Sequence, residues 1–212
     1  MFNNIDYKIS PTNYLLNTDA IVEPLTINYV KDYLRISTTD DDTLISDLIT
    51  TARNYGEKYT GRDFINKTYI SYLDCFPSNY VEIELRKSKL DSIISIEYYK
   101  NDVLTTIDSS IYYFTEYNDY SSILVKDGKS WPTDADNRKQ AVKITFISGY
   151  GATDANVPQG IKMAMLAHIA NMYENRGDCS DCDIAFKNSK SASLYSPYRL
   201  SKTMFEVVHG LW

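Results

Sequence analysis

Residues 92–107 read SIISIEYYKNDVLTTI, and this stretch decides the fold class. Two runs rich in Ile, Tyr, Val and Thr, residues 92–100 and 103–107, flank the dipeptide Asn101-Asp102. Aromatic and β-branched residues favour strands, and Asn and Asp tolerate the positive φ of a tight turn. The stretch therefore predicts an antiparallel β-hairpin.

The same strand-like composition extends outward over residues 66–147. Alternation of apolar and polar residues is plainest at 80–85, where Glu82 and Glu84 are expected on a solvent-exposed face. Asp127-Gly128 is a further turn signal, expected to close a second hairpin. No helical pattern interrupts the region, so the strands are expected to pair antiparallel. Strands are predicted at 68–73, 80–85, 92–100, 103–107, 112–117, 122–126 and 140–147.

Helical periodicity appears on both sides of this β region. Thr26 is a plausible N-cap for a helix over 27–36, and Asp40, Asp41 and Asp42 precede an apolar stripe that runs over 44–60 to Gly61. The three aspartates fit the positive end of a helix dipole better than a cation site, since an EF-hand's spacing is absent. A third, strongly apolar helix is predicted over 159–176.

These patterns predict an α+β protein. Its helical body would contain two N-terminal helices and one long C-terminal helix, with an inserted antiparallel β subdomain and an extended C-terminal arm. The expected division is an N-terminal arm (1–24), N-terminal helices (25–65), β subdomain (66–150), C-terminal helix (151–178), and linker with docking arm (179–212).

Composition excludes several classes of protein. The 212 residues carry a net charge of −6, 43% are hydrophobic, and no apolar window is long enough for a membrane span. The N-terminus lacks the features of a signal peptide, and an odd count of 3 Cys fits a reducing compartment. We therefore expect folding in a cytoplasm. The 19 Tyr favour surfaces that contact other proteins.

Motifs for catalysis or metal binding are weak. Cys179 and Cys182 form half of a zinc site, but completing it would require Cys75 and either His168 or His209 to converge. Other candidates fail individually: Gly149-Tyr150-Gly151 lacks the third glycine of a dinucleotide fingerprint, and nothing fixes the separation of the acids Glu82, Glu84, Glu97 and Glu116. We expect no enzyme activity, metal or cofactor.

The C-terminal tail differs in charge from the rest of the chain. Residues 184–212 hold four basic residues against Glu206 alone, which gives +3 and leaves −9 for the remainder. A basic, apolar tail on an acidic body suggests a docking arm, although a tail packed on its own core is the alternative. The acidic body also disfavours sequence-specific binding of nucleic acid.

An ordered series of motifs resembles the tailed-phage head-tail connector family, also called adaptor or head-completion proteins, of the type with an inserted β region. The resemblance covers residues 23–200. Its motifs are Glu23-Pro24-Leu25-Thr26, residues 30–36, Leu44-Ile45, Tyr59-Thr60-Gly61-Arg62, Trp131-Pro132, residues 142–145, Ser148-Gly149-Tyr150-Gly151, Val157-Pro158 with Ile161-Lys162, Tyr173-Glu174-Asn175-Arg176, and Leu194-Tyr195-Ser196-Pro197-Tyr198-Arg199. Departures are the missing glycine at Asn101-Asp102, an expanded Tyr-rich stretch over 112–120, and the extension 201–212.

The resemblance implies a virion structural protein of the neck between capsid and tail, assembled in the host cytoplasm. It would form a ring of about twelve copies beneath the portal protein, above stopper or tail proteins, and line the channel through which genomic DNA exits. The arm would contact the portal or a neighbouring subunit, and truncation near Ser193 would abolish portal binding but leave the body folded. The contact residues expected are Leu194, Tyr195, Pro197, Tyr198, Arg199, Met204, Phe205, Val208 and Trp212.

Two other functions remain open at this stage. One is a more distal neck position, as a stopper or tail-completion protein, since structural motifs alone do not fix a layer in the stack. The other is a Tyr-rich carbohydrate-binding β module, which would require exposed aromatic rings.

Overall fold

The structure is a computed structural model that describes residues 8–11, 13–87, 89–175 and 190–200. The chain divides into two compact units. A β unit contains the described residues of Met1–Asp19 and Asn66–Gly149, and a helical unit contains those of Ala20–Ile65 and Tyr150–Ser201. The fold is α+β, with a helical body and an inserted, predominantly antiparallel β subdomain, as the sequence predicted.

Within the residues that the structure describes, the helical unit contains four α-helices. They are α1 (Ile27–Leu34), α2 (Asp42–Thr60), α3 (Gln159–Glu174) and α4 (Lys190–Tyr195). Thr26 caps α1, because its hydroxyl accepts a hydrogen bond from the Tyr29 N–H at 3.2 Å. Gly61 ends α2 in the left-handed conformation at a φ of 76°. Both boundary signals were predicted. The acidic start of α2 is also partnered within the protein, since Lys31 lies 2.7 Å from Asp42.

One hydrophobic core joins the helices of this unit. α3 packs against α1, α2 and α4, which explains why it is apolar around much of its circumference. The completely or almost completely buried members include Val30, Ile45, Ile49, Ala52, Phe64, Ile161, Ala164, Met165, Ile169 and Tyr195. None of the helices in the described segments is both long and apolar enough to cross a bilayer.

The described part of the β unit contains nine strands in two sheets. They are β1 (Lys8–Ile9), β2 (Tyr14–Thr18), β3 (Lys67–Leu73), β4 (Glu82–Leu85), β5 (Leu90–Lys100), β6 (Val103–Thr106), β7 (Tyr112–Glu116), β8 (Ser121–Val125) and β9 (Val142–Ser148). One sheet has the order β1-β4-β8-β7 and the other β2-β3-β9-β5-β6. The two-residue β1–β4 pairing is parallel and every other pairing is antiparallel.

Side chains from both sheets share the second core. In β3 and β9 every alternate residue is buried, which is the period-two pattern the sequence predicted. Trp131 enters this core from a loop, and its ring stacks on Phe76 with centroids 5.2 Å apart and on Tyr112 at 6.3 Å.

Of the two predicted hairpin turns, the one at Asn101-Asp102 is confirmed and the one at Asp127-Gly128 is not. Asn101 and Asp102 both have positive φ, at 52° and 62°, and close the β5–β6 hairpin as predicted. Gly128 also forms a turn, at a φ of 72°, but the predicted hairpin there is wrong. The strand before it, β8, lies in one sheet and the strand after it, β9, lies in the other.

Two further expectations need correction. The described part of the expected N-terminal arm (1–24) is not an arm, because β1 and β2 add edge strands to the two sheets. Glu84 was expected to be solvent-exposed but is only 4% exposed. Arg86 at 2.9 Å and Lys8 at 3.8 Å neutralise its carboxylate. A period-two pattern assigns a face but does not reveal what covers that face.

Candidate functional site

The expected docking segment begins with α4 and continues through the short 3-10 turn Ser196–Tyr198. Tyr195 is fully buried, and its ring stacks on Phe64 with centroids 6.0 Å apart. Leu194 and Tyr198 are partly buried against the same core, whereas Pro197 and Arg199 are exposed. The segment therefore presents few of its predicted contact residues to solvent.

Backbone hydrogen bonds hold this segment to the end of α2. The Leu200 N–H donates to the Thr60 carbonyl at 2.9 Å. The Arg62 Nε donates to the Tyr198 carbonyl at 2.6 Å. The Arg199 guanidinium lies 5.3 Å from the centroid of the Tyr59 ring. Residues 190–200 are thus an integral part of the helical unit.

This packing corrects the expected role of Tyr195. A side chain enclosed by its own core has no surface to offer a partner, so the alternative of a tail packed on its own core holds for residues 190–200. Truncation near Ser193 would remove Tyr195 and Leu200 from the core, so a folded body is no longer expected after that truncation. The remaining contact residues Met204, Phe205, Val208 and Trp212 lie outside the described residues.

A buried ionic network lies on α2 in the same unit as this segment. Arg53 donates from Nε to Glu23 at 2.8 Å, and its guanidinium lies 3.5 Å from Glu57. Glu57 in turn accepts the Phe64 N–H at 2.9 Å, and Thr50 donates to Glu23 at 2.9 Å. The network holds Glu23, near the start of the helical unit, and Phe64, in the loop after α2, against α2. Only the spacing of Arg53 and Glu57 at i and i+4 hinted at it in the sequence.

The candidate titratable residues are structural where they are described. His168 in α3 is 7% exposed, and burial lowers its pKa from 6.5 to about 4, so it is neutral at pH 7. Its ring lies edge-on to Tyr55 at 5.2 Å. Among the described residues, no group of His, Cys, Asp and Glu could hold a metal ion. Cys179, Cys182 and His209 lie outside those residues.

The acids considered as catalytic pairs each have a local partner. Glu97 pairs with Lys143 at 3.0 Å, Glu116 lies 4.0 Å from Lys89, and Glu82 accepts a hydrogen bond from Ser122 at 2.6 Å. The pairs Glu97–Lys143 and Glu82–Ser122 join neighbouring strands, and cross-strand pairs of this kind stabilise a sheet.

The Gly149-Tyr150-Gly151 motif is a tight connection between the two units of the chain. Gly149 has a φ of 148°, and a Cβ there would lie 2.7 Å from the backbone of Asn66. Glycine is required because the chain enters and leaves the β unit at adjacent points, with Lys67 paired to Ser148. The motif therefore serves a close backbone approach rather than a dinucleotide.

Comparison with known families gives this architecture a context. Residues 24–124 match the family model described as phage gp6-like head-tail connector protein. This segment is a head-tail connector domain. It includes α1, α2 and most of the β unit, and the description of its family names a structural connector rather than an enzyme. No curated protein sequence matches the chain.

Solved structures extend the fold similarity beyond the connector domain. A chain in the neck of an empty gene transfer agent particle, computed with C6 symmetry, has a TM-score of 0.68 and 19% identity, with 89% of this chain and 96% of that chain covered. A chain of the native gene transfer agent virion gives the same values. A chain in the native neck computed with C12 symmetry has a TM-score of 0.64 and 18% identity over the same coverage. At these identities the likeness concerns the fold.

Proposed function

We propose that the protein is a structural component of a virion neck that joins the capsid to the tail. The connector domain over residues 24–124 carries this proposal. The neck chains support it, because their fold similarity spans 89% of this chain and so extends beyond the matched domain. The protein would be assembled in the host cytoplasm and located between capsid and tail.

Within the neck, we place the protein in an adaptor ring of about twelve copies beneath the portal, with stopper or tail proteins below. The C12 symmetry of one neck relative supports this copy number. Exposed tyrosines offer contact area between subunits, since aromatic rings are enriched at protein interfaces. In the helical unit they include Tyr29 and Tyr33, which lie one turn apart on α1 and are 40% and 41% exposed.

The ring would line the DNA exit channel without binding a sequence. Each copy carries a net charge of −6, so a ring of such chains presents acidic surface to the phosphate backbone. Repulsion of this kind allows DNA to slide. For the portal contact, the exposed Pro197 and Arg199 remain candidates, whereas Leu194, Tyr195 and Tyr198 hold the segment in place.

The decisive experiment is mass determination by light scattering of the purified chain, alone and with the portal of its own virus. A discrete complex that contains about twelve added chains supports the adaptor ring. If the chain does not bind the portal alone but binds a portal–adaptor complex, the result would instead indicate a stopper or tail-completion position. A chain that joins neither assembly contradicts the neck proposal.

A charge reversal tests the portal contact. Arg199→Glu is expected to weaken assembly on the portal, because it reverses the charge on an exposed residue of the proposed contact. Lys126→Glu changes the charge equally at an exposed turn of the β unit and serves as the matched control. Equal effects of the two variants would contradict the assignment of Arg199. Circular dichroism of both variants confirms that each remains folded.

A further inference from the structure

A cleft of about 610 Å³ opens on the β unit between two loops, residues 75–80 and 130–135. Its volume lies in the range of small-ligand sites, about 300–1,000 Å³. None of the described residues that line it is charged. The cleft lies within a single unit of the chain.

Aromatic rings form one side of this cleft. Phe76 and Trp131 both line it, and their rings are nearly parallel, with an interplanar angle of 9°. Tyr112 stacks on Trp131 and Tyr98 contacts the edge of Phe76, so the aromatic wall is rigidly supported. Tyr80 also lines the cleft and is 89% exposed, which leaves its ring free to stack on a ligand.

Trp131 also carries an unsatisfied polar group. Its side chain is 3% exposed, and its indole N–H has no hydrogen-bond partner among the described residues. A buried donor without an acceptor costs about 1–3 kcal/mol. That N–H is itself buried, so a ligand in the cleft does not contact it in this structure, and its resonance reports on the surroundings of the aromatic wall.

Hydroxyl and amide groups occupy the remaining walls. Ser78, Ser130 and Thr133 are exposed and line the cleft. Asn79 uses its side-chain oxygen to accept the Trp131 backbone N–H at 3.0 Å, which fixes the two loops together and leaves the amide donors of Asn79 outside that bond. The cleft therefore combines ring faces with several neutral donors and acceptors.

We propose that this cleft binds a neutral saccharide. Sugar rings present apolar C–H faces that stack on aromatic rings, and their hydroxyl groups pair with neutral donors and acceptors at close spacing. A peptide fits less well. Both walls are loops rather than strand edges, so they offer no backbone hydrogen bonds to an added strand. Among the described lining residues, Tyr80 has the only largely exposed ring, so the cleft lacks a second aromatic contact for a peptide side chain. The proposal does not depend on the neck function.

The test uses the full chain, labelled with ¹⁵N, in a Trp212→Phe background so that Trp131 gives the single indole N–H resonance. Neutral gluco-, galacto- and N-acetylglucosamine oligosaccharides are titrated separately. We expect saturable movement of the indole resonance with at least one of them. No movement with any of them at millimolar concentration overturns the proposal, and so does movement with an uncharged proline-rich peptide but with no saccharide.

Three variants locate the binding. Tyr80→Ala is expected to weaken saccharide binding about tenfold, as the loss of a principal aromatic contact does. Trp131→Phe keeps an aromatic ring in the cleft wall and removes only a buried N–H, so it should retain saccharide binding when followed by calorimetry. Tyr113→Ala removes a tyrosine that is 44% exposed and does not line the cleft, so it should bind as the parent does. Unchanged binding by Tyr80→Ala would overturn the assignment, and portal assembly of the same variant separates this result from the neck proposal.

Discussion

Gly56 lies in α2 directly beneath the rings of Phe64 and Tyr195. A Cβ at this position would lie 2.7 Å from Phe64 Cε2 and 2.8 Å from Tyr195 Cζ. The absence of a side chain therefore allows the aromatic pair to approach the helix. At the scale of single residues, stability in this unit depends on a few such contacts and on the buried Arg53 network.

Gly56→Ala is expected to destabilise the protein, although alanine is the better helix former by about 1 kcal/mol. The steric conflict with two buried rings costs about 1–3 kcal/mol and outweighs that gain. Urea unfolding measures the change in free energy. Asn54→Ala, at an exposed position of the same helix, is the control and should be neutral or slightly stabilising. A stabilised Gly56→Ala variant would show that the rings do not pack as described.

Replacement of Glu57 by glutamine should cost less stability than replacement by alanine. Glu57→Ala removes the acceptor of the Phe64 N–H and one partner of buried Arg53, with an expected cost of about 2–4 kcal/mol. Glu57→Gln keeps an oxygen at the acceptor position and should cost clearly less. Thermal and urea unfolding of the two variants provide the comparison. Equal losses would indicate that charge, rather than the hydrogen bond to the loop, dominates.

His168 makes stability depend on pH. Its pKa is lowered from 6.5 to about 4 in the folded protein, so between these pH values the unfolded chain binds a proton that the folded chain does not. The free energy of unfolding should therefore fall as pH drops from 6.5 to 4, by up to about 3 kcal/mol. His168→Gln should lack this contribution, while the carboxylates titrate alike in both proteins. Parallel pH profiles would contradict the buried, neutral histidine.

Whole elements depend on polar groups that neighbouring segments supply. The Asn101-Asp102 turn lacks glycine, yet Asp136 accepts both of its backbone N–H groups at 2.8 Å. One carboxylate from the 130–138 loop thus fixes a hairpin that lies more than thirty residues away in sequence.

Asp136→Ala should destabilise the β5–β6 hairpin by about 1 kcal/mol, the net value of hydrogen bonds to an exposed carboxylate. Asp136→Asn retains one acceptor oxygen and is expected to lose less. Hydrogen exchange at the β6 amides measures the local effect, which global unfolding would partly hide. Unchanged exchange in Asp136→Ala would show that the turn holds without this carboxylate.

Sequence patterns predicted the elements formed by local periodicity. All seven predicted strands are present with ends shifted by at most two residues, because alternation and turn residues are local signals. β2 was missed, since it pairs with a strand about fifty residues later and its residues do not alternate. Burial of Tyr195 was missed for a similar reason. The interior Gly56 was the one local signal of a close packing partner.

At the scale of the whole molecule, the larger segment of the β unit, residues 66–149, begins and ends at one point. Asn66 and Gly149 are adjacent in space. The helical unit has its own core, to which residues before and after the insertion both contribute. Residues 66–149 are therefore an insertion whose two ends are close together, while β1 and β2 reach the same unit from the N-terminal side.

A variant that begins at Ala20 and joins Asn66 to Gly149 through two glycines should fold as an independent helical protein. Its cooperative thermal unfolding and helical circular dichroism would show this, with the full chain as reference. A variant without a cooperative transition would show that the helical unit requires the β unit for stability.

The two units alternate along the chain, and this order determines when each unit can fold during synthesis. The core residues of α1 and α2 emerge from the ribosome roughly 5–20 s before those of α3, at the usual 5–20 residues per second. β2 likewise cannot pair until β3 has been synthesised. Neither unit can complete its core until most of the chain has been made. In the proposed ring, copies would therefore join late in synthesis or after it.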